Sequence, residues 1–503
     1  MITIIYSTHK DSKYNSKFKN HLLESIGVKS DKIQILEFQN NNQYSLSEVY
    51  NKGILESKYN IIVCCHNDIK LEINWGKKLL KDFELNPDYA IIGKAGSCYF
   101  PESGIYWEKM NQTMVGQVWH HPENQKKWLN KYSVKLPFLI PVVTIDGLFI
   151  SFDKRKIKHK FDESFGRFHF YDHSFCLPNY LEGVKIGVTT SFEITHQSVG
   201  QPNEEFFETK EKFLEKFKNN LPLDLKPQNV YIPHTKNKNL KLKSKVAIII
   251  LTKGKVKLLT KCINSFFEFC DKNIFDVIVA DTGSSENEFL EIKKLCSKDN
   301  IKLIQYDYYH FARINNDIVS NHLNDTHEYI LFCNNDIQIL NDVIHEMILS
   351  LKTSGNIGSV GARLHYPDNT IQHDGLFGLL NQKFKTIEIG HQNPSSYYNF
   401  KTNPTEVIGN TAALLMIKKA VFKSLGMFNE SYRHCFEDVQ LTLSCIVKGY
   451  KNIMNGKCVA IHHESQTRDI KLTESETLED YNFILLPFVK QNFEKLKKYF
   501  YIV

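Results

Sequence analysis

Cysteine is scarce in this chain: eleven in 503 residues, an odd number, with no CxxC pair. That excludes a disulfide-stapled secreted scaffold and a structural zinc ribbon, and it fits a reducing compartment. Long apolar runs are missing as well. The most apolar stretch, Pro137 to Ile150, is broken by Asp146 and too short for a hydrocarbon layer of about 30 Å. The opening residues Met1-Ile2-Thr3-Ile4-Ile5-Tyr6-Ser7 carry no basic segment ahead of their apolar side chains, so they read as a strand and not as a signal peptide. An excess of one charge is lacking too. Lys+Arg number 63 and Asp+Glu 56, a net charge of +7 without the focused basic stripe that nucleic acid requires. The densest basic stretch, Lys226 to Lys245, holds Lys226, Lys236, Lys238, Lys241, Lys243 and Lys245 with no acid, among Pro222, Pro227 and Pro233. It reads as a solvated linker, or as a patch for anionic head groups or a phosphorylated substrate. No Walker A sequence is present, and no GxGxxG follows an opening strand.

What is present is ordinary globular material, 42% hydrophobic and 24% charged, arranged as a repeat. Ile61-Ile62-Val63-Cys64-Cys65-His66-Asn67-Asp68 resembles Tyr329-Ile330-Leu331-Phe332-Cys333-Asn334-Asn335-Asp336: an apolar strand closed by a polar triplet ending in Asp. Phe161-Asp162-Glu163-Ser164 matches Phe428-Asn429-Glu430-Ser431, and Phe170-Tyr171-Asp172 matches Phe436-Glu437-Asp438. Gly183 matches Gly449, and His196 matches His462. Members of each pair stand 266 to 268 residues apart, so the chain is two copies of one fold.

Each copy opens on a continuous β-branched run, Ile2 to Tyr6 and Val246 to Leu251, which suits a strand buried on both faces of a parallel sheet. In the second copy a helical pattern over Leu258–Cys270 leads to a buried strand ending at Asp281-Thr282-Gly283-Ser284, with further helix and strand patterns behind it. Alternating strands and helices predict α/β domains with ligand groups at the carboxyl ends of strands. The first copy is about two dozen residues shorter before Asp68 and shows no counterpart of the Asp281 strand end.

Four acidic or imidazole positions stand out in the second copy. Asp281 and Asp336 close buried strands, His462 follows the apolar run Cys458–Ile461, and Glu437-Asp438 precede an amphipathic helix. Singly each has an ordinary structural reading as a turn cap, a strand-end polar residue, a buried histidine or a helix cap. Together they offer hard oxygen and imidazole ligands for Mg²⁺ or Mn²⁺ and a carboxylate for proton transfer. The strand-end aspartate, the helix-start aspartate and the late histidine occur in the same order in both copies, which favours chemistry.

With Val407-Ile408-Gly409-Asn410-Thr411-Ala412-Ala413, Gly426-Met427-Phe428-Asn429-Glu430, Phe436-Glu437-Asp438, Gly449-Tyr450 and Ile461-His462-His463-Glu464-Ser465, the second copy resembles family 2 glycosyltransferases of the GT-A fold, with the rhamnosyltransferase-like branch nearest. The first copy resembles a diverged branch through His66-Asn67-Asp68, Asp146-Gly147-Leu148-Phe149-Ile150, Phe168-His169-Phe170-Tyr171-Asp172 and His196-Gln197-Ser198. The pair is similar to bifunctional polysaccharide synthases. The resemblance implies two tandem GT-A (Rossmann-like, mainly parallel) domains, at 1–202 and 245–468, with a basic linker at 203–244 and a C-terminal helical segment at 469–503.

It further implies an inverting, metal-assisted single displacement from a UDP- or dTDP-sugar to a cell-surface glycan or lipid-linked acceptor. Asp438, with Glu437 as the alternative, and Asp172 fall at the general-base position. Thr252, Asp281, Arg313, Asn335 and Asp336, with Thr8, Asn67 and Asp68, fall at donor positions; Gly409, Asn410, Asp146 and Gly147 fall at acceptor positions. Asp336 with His462, and Asp68 with His196, are the implied ligands for Mn²⁺ or Mg²⁺. Each triplet carries a single acid, which implies a weakly held ion. The first copy is either a second active site or an acceptor-binding module. The expected setting is cytoplasmic, at most peripheral at the inner membrane face. The terminal apolar residues Phe493, Leu496, Phe500 and Ile502 read either as a membrane-side stripe or as a last helix packed on the second domain.

Overall fold

The computed structural model describes residues 1–9, 15–200, 202–234, 244–297, 300–381, 383, 386–433, 435–463 and 476–502. Two compact units emerge: Met1–Pro227 with Ser396–Asn399, and Gln228–Ser395 with Phe400–Val503. In the first, β1 (Ile2–Thr8) and β2 (Ile33–Gln39) pair in parallel, and β3 (Ile61–Cys65) lies parallel on the other side of β1. Helix α1 (Leu46–Glu56) precedes β3, opened by a Ser45–Glu48 capping box. A short β4 (Ile69–Leu71) follows the Asp68 turn. The chain then adds Tyr89–Gly93 to the first sheet, builds β5 (Met114–His120) and β6 (Trp128–Lys131) outside it, adds Ile140–Val142 at its far edge, and runs antiparallel to β3 as β7 (Phe149–Asp153). Helix α2 (Tyr171–Leu181) and β8 (Ile194–His196) complete the site-bearing part. The seven-stranded sheet has β7-β3-β1-β2 at one end; a six-stranded sheet includes β5-β8-β4, with β6 attached to β5, and Tyr99–Phe100 pairs with Leu223–Asp224.

The second unit repeats the plan. Strand β9 (Lys245–Thr252) is flanked in parallel by β10 (Phe275–Asp281) and β12 (His327–Asn334), with β11 (Ile301–Gln305) outside β10. Beyond β12 come β13 (Ile337–Ile339), β14 (Leu414–Lys418), antiparallel to β12, and β15 (Lys451–His462). Val246, Ile248 and Ile250 on one face and Ala247 and Ile249 on the other are all essentially inaccessible, as a strand covered on both sides requires.

The length difference between the copies has a definite location. Strand β2 takes the place of β10, and register sets Thr8 opposite Gln39 just as it sets Thr252 opposite Asp281. The first copy therefore does have a counterpart of the Asp281 strand, but it ends in glutamine. What it lacks is a helix–strand pair: helix Glu286–Leu295 and β11, which leaves β2 as the edge of its sheet.

A repeated asparagine ties each unit together. From α1, the Asn51 Nδ2 group donates to Phe161 O at 2.8 Å and Glu163 Oε1 at 2.7 Å, while Phe161 N donates to Asn51 Oδ1 at 3.1 Å. In the second unit Asn316, on the helix Phe311–Asp317, donates to Phe428 O at 2.9 Å and Glu430 Oε1 at 3.0 Å, and accepts from Phe428 N at 3.0 Å. One amide side chain thus replaces a missing strand partner for the Phe-x-Glu segment.

Beyond residue 202 the first unit continues. Helix α3 (Glu204–Phe217) buries Phe206, Phe213 and Phe217 among Phe100, Phe165 and Phe170, so this unit runs on to Pro227 where the sequence reading drew a linker. Of the lysines read as a basic stretch, Lys226 is exposed, Lys245 pairs with Asp276 at 2.9 Å, and Lys236, Lys238, Lys241 and Lys243 lie outside the described residues. At the C-terminus Leu496 and Phe500 are buried with Leu443 and Ile446 of the late helix, and Phe500–Ile502 pairs with Leu376–Asn381; Ile502 is exposed. Among the described residues no helix is long and apolar enough to cross a membrane.

Replacing Asn316 by alanine removes three hydrogen bonds, two of them to the backbone of the buried Phe428. It is expected to destabilise the second unit by about 1–3 kcal/mol. Calorimetry of the full chain checks this: the transition of the second unit moves down and that of the first does not.

Candidate functional site

Sequence places Asp68 and Asp336 immediately after a buried strand, and pairing does the rest. β4 runs antiparallel to β8 with Ile69 opposite His196; β13 runs antiparallel to β15 with Ile337 opposite His462. The late histidine is thereby delivered beside an aspartate over a hundred residues earlier. His196 Nε2 stands 3.3 Å from Asp68 Oδ2, and His462 Nε2 stands 3.2 Å from Asp336 Oδ1. The turn is braced the same way in both units, by Gln197 N to Asp68 O at 2.9 Å and His463 N to Asp336 O at 3.0 Å.

In the first unit a third donor joins. His66 Nδ1 lies 3.9 Å from Asp68 Oδ1, and ligand atoms of His66, Asp68 and His196 all fall within 4.8 Å of one another. Two imidazoles and a carboxylate converging this closely fit a divalent cation of the Mn²⁺ class. Burial acts to raise the Asp68 pKa, but the bonds from His196 and Ser198 and the neighbouring His66 outweigh it and hold the carboxyl well below its usual range. Burial lowers the pKa of His66, with Asp68 pulling the other way, so a neutral imidazole persists further into acid. Among the described residues the second unit offers an acid–imidazole pair, since Asn334 takes the place of His66. Its Asp336 Oδ1 is buried without a hydrogen-bond donor and faces His462, an atom available to a cation. His66 is the cluster member that the sequence pattern leaves unassigned. The signal was the substitution itself, His in one copy for Asn in the other.

The helix-start acids are set with equal care. Phe170 and Phe436, the residues before α2 and before the second unit's helix Glu437–Val447, hold φ of 61° and 74°. A bulky residue in the left-handed region is strained, and the same strain in both copies marks a constrained site. Asp172 Oδ2 accepts from Gly147 N at 2.8 Å, and its Oδ1 from His173 N at 2.8 Å. Asp438 Oδ2 accepts from Ala412 N at 2.8 Å and Thr411 Oγ1 at 3.0 Å, and its Oδ1 from Val439 N at 2.7 Å. Each carboxylate clamps the loop leading into β7 or β14 and retains at least one of about four lone-pair directions to take a proton. Burial pushes the Asp172 carboxyl up, with His173 opposing and Asp146 adding. Where the second copy has Glu437, the first has Tyr171, whose hydroxyl lies 2.9 Å from His66 Nε2. A Cβ on Gly147 would sit 2.1 Å from that hydroxyl, so only glycine fits there.

The remaining residues divide. Thr8, Asn67 and Asp68 line a cleft of about 350 Å³ at the strand ends of β1 and β3, together with Asn40, Asn41 and Tyr50. Thr252 Oγ1 accepts from Asn335 Nδ2 at 2.9 Å, and Asp281 is buried and accepts from Ser284, so these three share the corresponding edge of the second unit. Arg313 is exposed, 3.5 Å from Glu430. Asp146 accepts from Tyr106 OH at 2.7 Å and Leu148 N at 2.9 Å. Asn410 is fully buried, donates to Ile453 O at 3.1 Å and packs beneath Gly361; a Cβ on its neighbour Gly409 would meet Thr442 Oγ1 at 2.5 Å.

Comparison with known proteins agrees with this duplication. Residues 3–218 match the "Glycosyltransferase like family" and residues 247–425 match "Glycosyl transferase family 2". Among curated proteins, the O-antigen biosynthesis protein RfbC of Myxococcus xanthus is 26% identical over 230 residues, 44% of this chain and 18% of that protein. The uncharacterized protein y4gI of Sinorhizobium fredii is 29% identical over 232 residues, 44% of this chain and 25% of that protein. The matched part thus spans a quarter or less of these relatives' own lengths. A crystal structure of GalNAc-T7 with UDP, GalNAc and Mn²⁺ aligns with a TM-score of 0.39 at 11% identity, over 50% of this chain and 48% of that one. Two family matches in tandem, on two α/β units that repeat one site plan, show that the chain belongs to the family 2-type glycosyltransferases and carries two GT-A-like domains.

Proposed function

We propose that both domains transfer a glycosyl group from a nucleotide-sugar donor, with inversion, to a growing surface glycan. The observation that carries this reading is the twice-built pairing of a strand-end Asp–His cluster with a helix-start carboxylate. In each domain the acceptor hydroxyl attacks the anomeric carbon, and the bond from that carbon to the donor's phosphate oxygen breaks with its electron pair going to the diphosphate. The hydroxyl proton passes to Asp172 or Asp438. Backbone N–H bonds to each carboxylate fix its orientation, and one free lone pair accepts the proton. Thr252, Asn335 and Asp281 hold the donor nucleoside in the second domain, and the Thr8–Asn40–Asn67 cleft does so in the first. Asp68, His66 and His196, or Asp336 and His462, would hold a divalent cation, which would supply charge neutralisation for the departing diphosphate. Relatedness to an O-antigen biosynthesis protein supports a polysaccharide precursor as acceptor. The second reading, a first domain that only binds acceptor, rests on Tyr171 in place of Glu437 and Gln39 in place of Asp281.

Donor turnover by wild type, Asp172→Asn and Asp438→Asn over a panel of nucleotide sugars with Mn²⁺ separates these. Each substitution is expected to lower use of a different donor by about 10²–10⁴-fold. Loss with Asp438→Asn alone selects the binding-module reading, and loss with neither overturns the catalytic assignment.

The pH profile gives a further check. Because burial raises the Asp172 pKa, the base is deprotonated, and first-domain kcat/KM reaches its plateau, only above the ordinary carboxylate range of about 4. Activity falls as pH drops through the raised value.

Titration calorimetry with Mn²⁺ on the full chain tests the cation sites. His196→Ala and His66→Ala are each expected to weaken one site by tenfold or more and leave the other unchanged.

A further inference from the structure

The β5–β6 hairpin meets the first domain's cluster from a direction the mechanism leaves unused. Parallel pairing of β5 with β8 sets His120 beside His196, with ring centroids 5.8 Å apart. Antiparallel register sets Trp128 opposite His120 and Asn130 opposite Val118, which places His120, Trp128 and Asn130 on one face. They are organised there. The Trp128 indole stacks on the His120 ring, centroids 5.3 Å apart and planes 15° from parallel. Asn130 Nδ2 lies 3.1 Å from His120 Nε2 and donates to Tyr132 OH at 3.2 Å. Both amide hydrogens are thereby committed, which leaves the Asn130 oxygen to accept. Trp128, His120 and Asn130 are all only half-buried, on the edge strand β6 and its neighbour. The strand-end cleft is lined by Thr8, Asn40, His66 and Asp68 but by none of the hairpin residues, so the hairpin reaches the cluster from its His196 side.

We infer that this hairpin face is the acceptor-sugar wall of the first domain, with Trp128 covering the apolar face of a pyranose ring and the Asn130 carbonyl oxygen accepting from one of its hydroxyls. The inference rests on the transferase reading above. A single displacement needs the incoming hydroxyl and the departing diphosphate on opposite sides of the anomeric carbon. With the nucleotide in the strand-end cleft, the opposite wall belongs to the acceptor. An indole face beside a fixed hydrogen-bond acceptor suits a sugar, which offers C–H groups on one face and hydroxyls at its rim.

The test uses the full chain, with methyl α- and β-glycopyranosides of the common hexoses as probes by saturation-transfer NMR, and UDP with Mn²⁺ as the donor-side control. Trp128→Ala and Asn130→Ala are each expected to weaken binding of the recognised glycoside by tenfold or more while UDP affinity stays within twofold. Equal glycoside binding by wild type and both hairpin variants overturns the proposal. So does an equal loss of UDP affinity, or a wild type that binds none of the glycosides. Trp128→Phe, which keeps an aromatic face, restores most of the affinity and guards against a misfolded alanine variant, with thermal melting of each protein as control. Hairpin-dependent binding with turnover insensitive to Asp172→Asn retains the wall and discards the catalytic base.

Discussion

Everything at the two sites hangs on a carboxylate at a helix start bonded to the backbone of a loop far back in the chain. Asp172 to Gly147 N and Asp438 to Ala412 N join the late helix to the loop that enters the antiparallel strand beside the Asp–His turn. Three elements are thereby fixed to one another: helix, inner strand and strand-end cluster. The left-handed phenylalanine just ahead of each acid is the conformational consequence, since the chain must turn sharply to aim the carboxylate inward. Strain of this kind persists only where surrounding packing overdetermines it. Phe170 and Phe436 are both held in aromatic or apolar clusters that do so.

On this shared frame the copies have diverged in a chemically coherent way. The first domain has an imidazole at position 66 and a tyrosine at position 171 that bonds to it, and a glutamine where the second domain has the acid at the end of its second strand. Its donor cleft is accordingly bounded by amides and hydroxyls, whereas the second domain presents the buried Asp281. The first domain also invests in a hairpin of aromatic and polar side chains next to its cluster. The second elaborates a different sheet, in which Leu376–Asn381 pairs with both Thr386–His391 and the C-terminal strand. Two related frames thus present different side chains around the same Asp–His and helix-start carboxylate positions.

Much of this was legible in the amino-acid order. Continuous β-branched runs announced strands buried on both faces, and β1 and β9 are such strands. Repetition of strand–Asp, Phe-x-Asp and late His at near-equal spacing announced two copies of one site, and both Asp–His pairs close to within about 3.3 Å. Other features carried no local signal. Asn51 and Asn316 look like ordinary helix residues until their partners, more than a hundred positions away, are in view. Asn410 sits in a motif that invites a functional role, yet it is enclosed in the sheet.

By itself, then, the sequence determined the α/β class, the duplication, and the residues that end each buried strand, because periodicity and strand-end chemistry are local properties of the chain. Tertiary structure alone decided which of those residues meet. Register brought His196 to Asp68, strand pairing aligned Gln39 with the place of Asp281, and sheet pairing set Trp128, His120 and Asn130 against the cluster. Each of these depends on pairing between segments distant in the chain, where a shift of one residue would turn every side chain to the opposite face.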